Sequence, residues 1–400
     1  MSAIDFDDIL GRGVANIIPG RKKLEELLSS GKKLNIYLGI DPTATKIHLG
    51  HAVPLRKLNA FAKLGHNVKF LIGDFTALIG DTSDKDTERP VLTSEEIENN
   101  FLTYKKQAEK IMDFSLPNVT VVHNSDWLKK LSFEDIVKLC QHFAVGDFVG
   151  RELIRRRLDQ NKRVGLHEVL YPVMQGYDSY FMDTDIQIGG TDQTFNMQAG
   201  RTLQKDLRNK ESFVLAMEFL IGTDGKKMSK TGNNAIWLDE TPTEMYGKIM
   251  SINDELIPQY YLLGTNMPLS KVEGIAKQLN SGANPMQMKK ELAFHLVTEL
   301  HSETQAQEAQ SYFEKVVQKK DMPDTIPTVS LTLENGLISY IDLLLKTNLA
   351  TSRSDARRLI EQGGVEIDNQ KITDPTGEIA IKDNTVIKVG KRKFVEVTVA

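Results

Sequence analysis

The stretch that decides the fold is residues 34–51, which read LNIYLGIDPTATKIHLGH. Residues 34–40 form an apolar run long enough for one buried strand, and a helical pattern begins at the closing HLGH segment. The free N–H groups and the dipole at a helix N-terminus attract phosphate, and Gly50 has no Cβ to hold a ligand away from the backbone. The sequence therefore predicts a phosphate-binding turn around His48 and His51.

The same alternation of strand and helix continues through the first half of the chain. Further apolar runs lie at residues 68–73, 119–123, 185–190 and 213–216. Strands separated by helices predict an α/β fold with a doubly wound parallel sheet. Ligands of such sheets bind beyond the carboxyl ends of the strands. The polar or flexible residues at those ends are Tyr37, Asp41, His48, Asp81 and Gly190. The sequence contains no GxGxxG fingerprint, which argues against an NAD site.

A second candidate segment is basic and flanked by glycines. Residues 225–232 read GKKMSKTG, and two of the three lysines, Lys227 and Lys230, are available to a triphosphate together with the hydroxyl groups of Ser229 and Thr231. Alone, such a lysine-rich segment is usually a solvated surface loop. The histidines of the HLGH segment have no third ligand in a recognised motif, so no dedicated protein metal site is predicted.

After Leu238 the strand pattern stops and helical patterns replace it, and a linker then separates a last unit. Helical patterns extend to about residue 320, with cap signals at Thr241 with Glu244 and at Ser270. Prolines mark a linker over residues 321–330. The predicted domains are therefore a catalytic domain at 1–238, a helical domain at 239–320, that linker, and a small α+β unit at 331–400. In the last unit we predict a helix at 354–362, a strand at 365–368, a turn at Asn369-Gln370 and a returning strand at Lys371-Ile372.

Composition limits the class of protein. The chain has 400 residues and a net charge of −4, so contact with nucleic acid must use a local basic patch. The single cysteine excludes an intrachain disulfide and a cysteine zinc cluster. The acidic N-terminus lacks the order of a signal peptide, and no apolar run approaches about 18 residues. We expect a cytoplasmic enzyme without a membrane span.

The HLGH and KMSKT segments, in this order, resemble the HIGH and KMSKS signatures of class I aminoacyl-tRNA synthetases. Leu49 replaces isoleucine and Thr231 replaces serine, which keeps an apolar side chain and a hydroxyl. Residues 37–45, 76–81, 171–178 and 189–193 resemble the bacterial tyrosyl-tRNA synthetase family, and residues 352–372 resemble an S4 RNA-binding domain. The resemblance covers nearly the whole chain.

The resemblance implies a role for each candidate site residue. For tyrosine, it implies Tyr37, Asp81, Tyr171, Gln175, Asp178 and Gln193. For ATP, it implies Asp41, Gly50, His51, Gly190, Asp192 and Lys230. For charge stabilisation at the phosphates, it implies Thr43, His48, His51, Lys227, Lys230 and Thr231. Tyr171, Gln175 and Asp178 are spaced to share one helix face, although such a face is often merely polar surface. Buried partners of a substrate hydroxyl reject phenylalanine by about 10⁴–10⁵.

The resemblance also implies a reaction and partners. ATP and L-tyrosine would form tyrosyl-adenylate and pyrophosphate, and the tyrosyl group would pass to the 3′ end of tRNA(Tyr). Mg²⁺ would accompany ATP on its phosphate oxygens, with no bound prosthetic group. RNA contacts would come from Arg353, Arg357, Arg358 and the basic run at residues 391–393. A homodimer is implied, with residues 133–148 as the candidate interface.

Two alternatives stay open at this point. Tryptophanyl-tRNA synthetases share the two signatures, although Tyr37 and Asp178 suit a phenol and an S4-like tail is not expected there. A noncatalytic S4 RNA-binding protein could keep a synthetase fold, but it should have lost signature lysines or histidines that this chain retains. Tyrosine-dependent pyrophosphate exchange, with tryptophan as the control, would separate the three hypotheses.

Overall fold

The computed structural model describes residues 5–80, 92–228, 234–318, 326–331, 337–390 and 393–399. The predicted site residues Asp81, Lys230 and Thr231 lie outside these ranges, as do Lys391-Arg392 and residues 321–325 of the predicted linker. The chain divides into two compact units, Met1–Ala306 and Gln307–Ala400. No helix among the described residues is both long enough and apolar enough to cross a membrane.

A six-stranded sheet forms the centre of the first unit. The strands are β1 Val14–Ile18, β2 Asn35–Ile40, β3 Asn67–Ile72, β4 Val119–His123, β5 Ile186–Gly190 and β6 Phe213–Met217. Their order is β1-β6-β5-β2-β3-β4, and all neighbours are parallel except β1 and β6. The chain moves outward from β2 through β3 to β4 and then returns to the other side of β2. The switch point therefore lies at the carboxyl ends of β2 and β5.

The α/β prediction is confirmed, with one correction at the edge of the sheet. All five predicted strands are present, but β1 was missed, and its antiparallel pairing makes the sheet mixed rather than wholly parallel. β1 reads VANII, so it is a short apolar run that the sequence analysis did not recognise as a strand, and it pairs on one side only.

Helices cover both faces of the sheet and then continue as a helical region. They are α1 Phe6–Leu10, α2 Arg21–Ser29, α3 Leu49–Lys63, α4 Ser94–Ala108, α5 Ser125–Leu128, α6 Phe133–Cys140, α7 Val145–Val149, α8 Glu152–Asp159, α9 Leu166–Phe181, α10 Thr194–Arg208, α11 Pro242–Ile249, α12 Ile257–Gly264, α13 Leu269–Asn280, α14 Pro285–Leu300 and α15 Glu303–Tyr312. Short 3₁₀ turns lie at Thr76–Leu78, Thr191–Gln193 and Asp254–Leu256, and a π-helical turn lies at Phe313–Gln318.

The N-cap residues of the helices can be compared with the predicted ones. Thr241 caps α11 as predicted, since its side chain accepts from the backbone N–H three residues on, and Thr93 caps α4 in the same way. The prediction at Ser270 is wrong, because α13 begins one residue earlier and Pro268 is its N-cap. The Pro268 carbonyl accepts from Lys271 N and Val272 N at 2.9 and 3.2 Å, which makes a serine cap unnecessary.

The contacts that hold the site helices are tight. Gly176 on α9 lies against α10, where a Cβ would approach the Ala199 carbonyl carbon to 3.1 Å. On the other face, the guanidinium of Arg56 on α3 binds both carboxylate oxygens of Glu299 on α14. The structure groups α11 to α14 with the sheet in one unit, so the proposed domain boundary at residue 238 stays a prediction.

After the π-helical turn, the described part of the second unit contains two helices and two small sheets. The strands are β7 Thr328–Leu331, β8 Leu337–Ser339, β9 Val365–Ile367, β10 Gln370–Ile372, β11 Glu378–Ala380, β12 Thr385–Val389 and β13 Lys393–Val399, and the helices are α16 Tyr340–Lys346 and α17 Arg353–Glu361. The sheet orders are β10-β9-β12-β13-β7 and β11-β8. Its core includes Leu343, Ile360, Val365 and Ile387, all fully buried.

Two sequence predictions for this unit need correction. Residues 328–330 of the predicted linker belong to β7. The turn between β9 and β10 consists of Asp368 and Asn369, at φ 47° and 67°, rather than Asn369-Gln370. A two-residue hairpin turn of this hand requires positive φ at its central residues, which Asp and Asn tolerate better than Gln.

Candidate active site

A cavity of about 630 Å³ opens at the carboxyl ends of β2 and β5. Every predicted site residue of the first unit that the structure describes lines this cavity. These residues are Tyr37, Asp41, Thr43, His48, Gly50, His51, Tyr171, Gln175, Asp178, Gly190, Asp192, Gln193 and Lys227. Their convergence follows from the topology, since β2 and β5 are neighbours and α9 leads directly to β5.

The buried end of the cavity contains Tyr37 and Asp178. The Tyr37 hydroxyl donates to Gln187 Oε1 at 3.1 Å. The Asp178 carboxylate accepts from Trp127 Nε1 at 2.7 Å and from Asn124 Nδ2 at 3.1 Å. Burial raises the pKa of Asp178 to about 8, although the two hydrogen bonds oppose that shift. This end of the cavity therefore offers a hydroxyl and a carboxyl group in an apolar surrounding.

A hydrogen-bonded chain connects this end to Asp41. Asn124 Nδ2 donates to Thr76 Oγ1 at 3.0 Å, and Thr76 donates to Asp41 Oδ1 at 2.7 Å. The Tyr171 hydroxyl donates to Asp41 Oδ2 at 2.8 Å. Gly73 makes room for this carboxylate, because a Cβ there would lie 2.0 Å from Asp41 Oδ1. Asp41 is thus held between Tyr171 on α9 and Thr76.

Four side chains of this network were missed from the sequence: Thr76, Asn124, Trp127 and Gln187. Asn124 directly follows β4, so the rule about strand ends could have found it. Gln187 is a fully buried amide inside a parallel strand, which is itself a signal of a polar partner. Trp127 lies on the short helix α5 and carries no signal of its own.

The HLGH segment lies at the open end of the cavity. His48 is the N-cap of α3, and its N–H donates to His51 Nδ1 at 3.2 Å. The two imidazole rings are 3.8 Å apart between centroids, and Trp237 packs edge-on against His48 at 5.7 Å. A Cβ on Gly50 would lie 3.0 Å from His48 Nδ1, so glycine leaves space for that ring.

Lys227 of the KMSKT segment lies beside Asp192, one of the residues predicted to bind ATP. Lys227 Nζ lies 3.1 Å from Asp192 Oδ2 and 3.9 Å from the centre of the Phe219 ring. A Cβ on Gly190 would come within 2.6 Å of Asp192 Oδ1. Among the described residues, no group of three His, Cys, Asp or Glu side chains could hold a metal ion.

The arginines predicted to bind RNA are exposed on α17 in the second unit. Arg353 pairs with Asp342 at 2.7 Å and Arg358 pairs with Asp355 at 2.6 Å. Arg357 makes no ion pair with any residue that the structure describes. Exposed pairs of this kind are weak, so all three guanidinium groups remain available to a phosphate backbone.

Comparison with known proteins decides the family. Residues 29–318 match the model of class I tRNA synthetases for tryptophan and tyrosine, and residues 318–397 match the SYY-like C-terminal domain of tyrosine–tRNA ligases. The Tyrosine--tRNA ligase of Dehalococcoides mccartyi is 44% identical over 97% of this chain and 97% of its own length. That of Haemophilus ducreyi is 43% identical over 98% and 97%. The chain belongs to the tyrosyl-tRNA synthetase family.

Solved structures of tyrosyl-tRNA synthetases share the fold. The Archaeoglobus fulgidus enzyme, complexed with L-tyrosine, has a TM-score of 0.60 and 22% identity over 76% of this chain and 98% of its own. A C-terminally truncated mitochondrial enzyme from Aspergillus nidulans has a TM-score of 0.63 and 21% identity over 75% and 90%. The predicted enzyme class, a class I aminoacyl-tRNA synthetase, is confirmed by the family match.

Proposed function

We propose that this synthetase activates L-tyrosine with ATP in the cavity and transfers the tyrosyl group to tRNA(Tyr). The observation that carries the proposal is the buried pair of Tyr37 and Asp178. A phenol hydroxyl both donates and accepts, and this pair supplies a carboxyl acceptor and a hydroxyl donor. An indole N–H only donates, so it could use the Asp178 acceptor but could not accept from the Tyr37 hydroxyl. The curated relatives, all named Tyrosine--tRNA ligase, support the same choice over the tryptophan enzyme.

The amino acid is oriented by α9. Tyr171 and Gln175 line the cavity one helical turn apart, and the Asp41 carboxylate is fixed by Tyr171 and Thr76. These groups supply negative charge and acceptors for the substrate ammonium, a role that Asp81 would share. Gln193, at the mouth of the cavity beyond β5, would contact the tyrosine carboxylate.

Catalysis consists of positioning and charge stabilisation. The tyrosine carboxylate oxygen bonds to the α-phosphorus of ATP, and the bond from that phosphorus to the bridging oxygen of pyrophosphate breaks. Thr43, His48 and His51 would bind the phosphates at the N-terminus of α3, and Lys227, with Lys230 and Thr231, would neutralise the leaving pyrophosphate. A hydroxyl of the terminal adenosine of the tRNA then attacks the tyrosyl carbonyl, and AMP leaves.

ATP would rearrange the pair of Lys227 and Asp192. Asp192 would accept from the ribose hydroxyls, and Gly190 would give the nucleotide close access to the backbone. Lys227 would then exchange its carboxylate partner for phosphate oxygens. Mg²⁺ would arrive with ATP on phosphate oxygens, which suits a cavity whose described carboxylates form no three-ligand cluster.

Tyrosine-dependent exchange of pyrophosphate into ATP tests this proposal. We expect exchange with tyrosine, with phenylalanine and tryptophan at background. Exchange driven by tryptophan would instead favour the tryptophan enzyme. Absence of exchange with any amino acid would favour the noncatalytic RNA-binding protein.

We also propose a homodimer in the cytoplasm. Large apolar side chains are exposed on consecutive helices from α6 to α9, where Phe133 is 81%, Val145 74% and Leu166 73% exposed. The first two lie within the predicted interface at residues 133–148, and Leu166 extends it to the start of α9. Apolar surface of this kind is typical of a subunit interface.

A further inference from the structure

Asn234 fixes the base of the segment that carries Lys227. Its side chain is 3% exposed, and its Nδ2 donates to Asp224 Oδ1 at 2.7 Å and to the Lys227 carbonyl at 3.2 Å. The backbone carbonyl of Asn234 accepts from Thr223 N at 3.1 Å. One amide therefore joins the chain before the second signature to the chain after it.

Asp224 completes this base. Its Oδ1 accepts from Lys226 N at 3.0 Å as well as from Asn234, and Gly222 N donates to the Lys226 carbonyl at 2.7 Å. A Cβ on Gly222 would lie 2.6 Å from Asn234 Cγ, so the amide packs directly on the backbone. The turn and the amide are thus interlocked by hydrogen bonds and by close packing.

The same contacts fix the backbone of Lys227 and so limit the positions that its ammonium group can occupy. Asn234 and Asp224 do not line the cavity, whereas Lys227 does. A lysine ammonium sits on a long flexible stem, so the position of its backbone sets the region that the ammonium can sample. With the Lys227 carbonyl held by Asn234, its ammonium lies between Asp192 and the Phe219 ring.

We propose that Asn234 and Asp224 are positioning residues for adenylate formation, acting through the backbone of Lys227. This inference rests on the proposed role of Lys227 at the phosphates. A misplacement of about 1 Å at a reacting group can cost about 10²-fold in rate. Loss of the amide should therefore slow the chemical step while the tyrosine pocket, at the buried end of the cavity, stays intact.

The test compares four single variants of the full-length chain by single-turnover adenylate formation and by tyrosine affinity. Asn234→Ala and Asp224→Ala should each lower the rate at saturating substrates by about 10- to 100-fold, with the tyrosine Kd changed less than about twofold. Asp224→Asn keeps the accepting Oδ1 and should retain most of the rate. Asp113→Ala is the matched control, since Asp113 accepts from Ser115 N at 2.9 Å in a similar turn remote from Lys227.

A double-variant comparison decides whether the effect passes through Lys227. In a Lys227→Ala background, Asn234→Ala should cause less than about a twofold further loss, because the group it positions is already absent. The same loss in both backgrounds would overturn the proposal, as would a wild-type rate in Asn234→Ala. If Asn234→Ala does not fold, an equal rate in Asp224→Ala and wild type would overturn it. An inactive wild-type protein would instead contradict the proposed function.

Discussion

At the scale of single residues, Tyr37 is already hydrogen-bonded before a substrate arrives. Its hydroxyl donates to Gln187 Oε1, so a substrate hydroxyl must compete for that donor. Tyr37→Phe should cost tyrosine about 0.5–1.5 kcal/mol in kcat/KM, the usual value of one uncharged hydrogen bond. Phenylalanine should lose less, so the ratio of kcat/KM for tyrosine to that for phenylalanine should fall.

Tyr104 provides the control for this substitution. It is also a buried tyrosine that lines the cavity, but it packs against His51 of the HLGH segment. Tyr104→Phe should leave the ratio of tyrosine to phenylalanine unchanged. An unchanged ratio in Tyr37→Phe as well would remove Tyr37 from the substrate pocket.

Asp178 makes tyrosine binding dependent on pH. Burial raises its pKa from 3.8 to about 8, so below pH 8 the empty pocket contains a neutral carboxyl group. The raised pKa means that the folded state opposes ionisation, so this group's contribution to stability falls as pH rises from about 4 to 8. An ionised carboxylate accepts a stronger hydrogen bond from the substrate phenol than a neutral carboxyl group does, so binding favours loss of the Asp178 proton. Tyrosine binding should therefore release protons at pH 6.5 and progressively fewer as pH rises above 8.

Calorimetry in buffers of different ionisation enthalpy measures this proton release. Phenylalanine corrects for the substrate ammonium, since it lacks only the phenol hydroxyl and should release fewer protons. Equal proton release by the two amino acids at pH 6.5 would exclude ionisation of Asp178 on binding.

The sequence predicted the residues that line the cavity better than the residues that support them. Asp41 and Asp178 were identified because they follow a strand or match a motif. Thr76 and Trp127 contact those carboxylates from other elements, and such pairings depend on tertiary packing that no local pattern encodes. Gln187 was detectable in principle, because a buried amide within a strand requires a partner.

At the scale of elements, a buried ion pair fixes the start of α9. Arg157 on α8 binds Glu168 at 2.6 and 3.1 Å, and both side chains are at most 3% exposed. Glu168 Oε1 also accepts from Gly165 N, the N-cap of the helix that carries the proposed tyrosine-binding residues. Glu168→Gln removes the charge that neutralises Arg157 and should destabilise the protein by about 3–5 kcal/mol.

Chemical unfolding measures this loss, with an exposed ion pair as the control. Glu109→Gln breaks the pair with Lys105, whose side chain is 40% exposed, and should change the unfolding midpoint little. The double variant Arg157→Met with Glu168→Leu should be more stable than Glu168→Gln alone, because no buried charge remains. A Glu168→Gln protein as stable as wild type would contradict the assigned role.

Burial explains only part of what the sequence predicted about the strands. The central parallel strands β2, β3, β5 and β6 each contain at least three buried residues, and edge strand β4, which has none, was still found from its valines. Edge strand β1 reads VANII and is also mostly apolar, but it was not recognised in the sequence. The predicted cap at Ser270 was wrong because the backbone carbonyl of Pro268 accepts hydrogen bonds at the start of α13, where no side chain acts as a cap.

At the scale of the whole molecule, the apolar surface of α6 to α9 should determine the oligomeric state. A double variant, Phe133→Asp with Leu166→Asp, places charge on both ends of this surface and should give a monomer where the wild type is a dimer. Sedimentation velocity measures the mass. Leu102→Asp is the control, because Leu102 is 57% exposed but lies on α4. A monomeric wild type would refute the homodimer.

Tyrosine activation should need only the first compact unit, whereas tRNA charging should also need the second. A chain that ends at Gln318, where the two family matches meet, retains every residue that lines the cavity. It should keep near-normal tyrosine-dependent pyrophosphate exchange and lose most tRNA charging. Circular dichroism must first show that the shortened chain is folded. A folded product with full tRNA charging would refute an RNA-binding role for the second unit.

Substitutions on α17 identify the part of that unit that binds RNA. Replacing Arg353, Arg357 and Arg358 by glutamine should reduce charging less than truncation does, because other contacts remain. Each lost phosphate contact lowers the slope of log kcat/KM against log salt by about 0.7–0.9. The matched control replaces three exposed lysines of the same unit, Lys346, Lys371 and Lys382, by glutamine. Because the two variants carry the same net charge, a flatter salt dependence in the arginine variant alone would assign the contact to α17. Equal slopes would mean that only the overall charge of the unit matters.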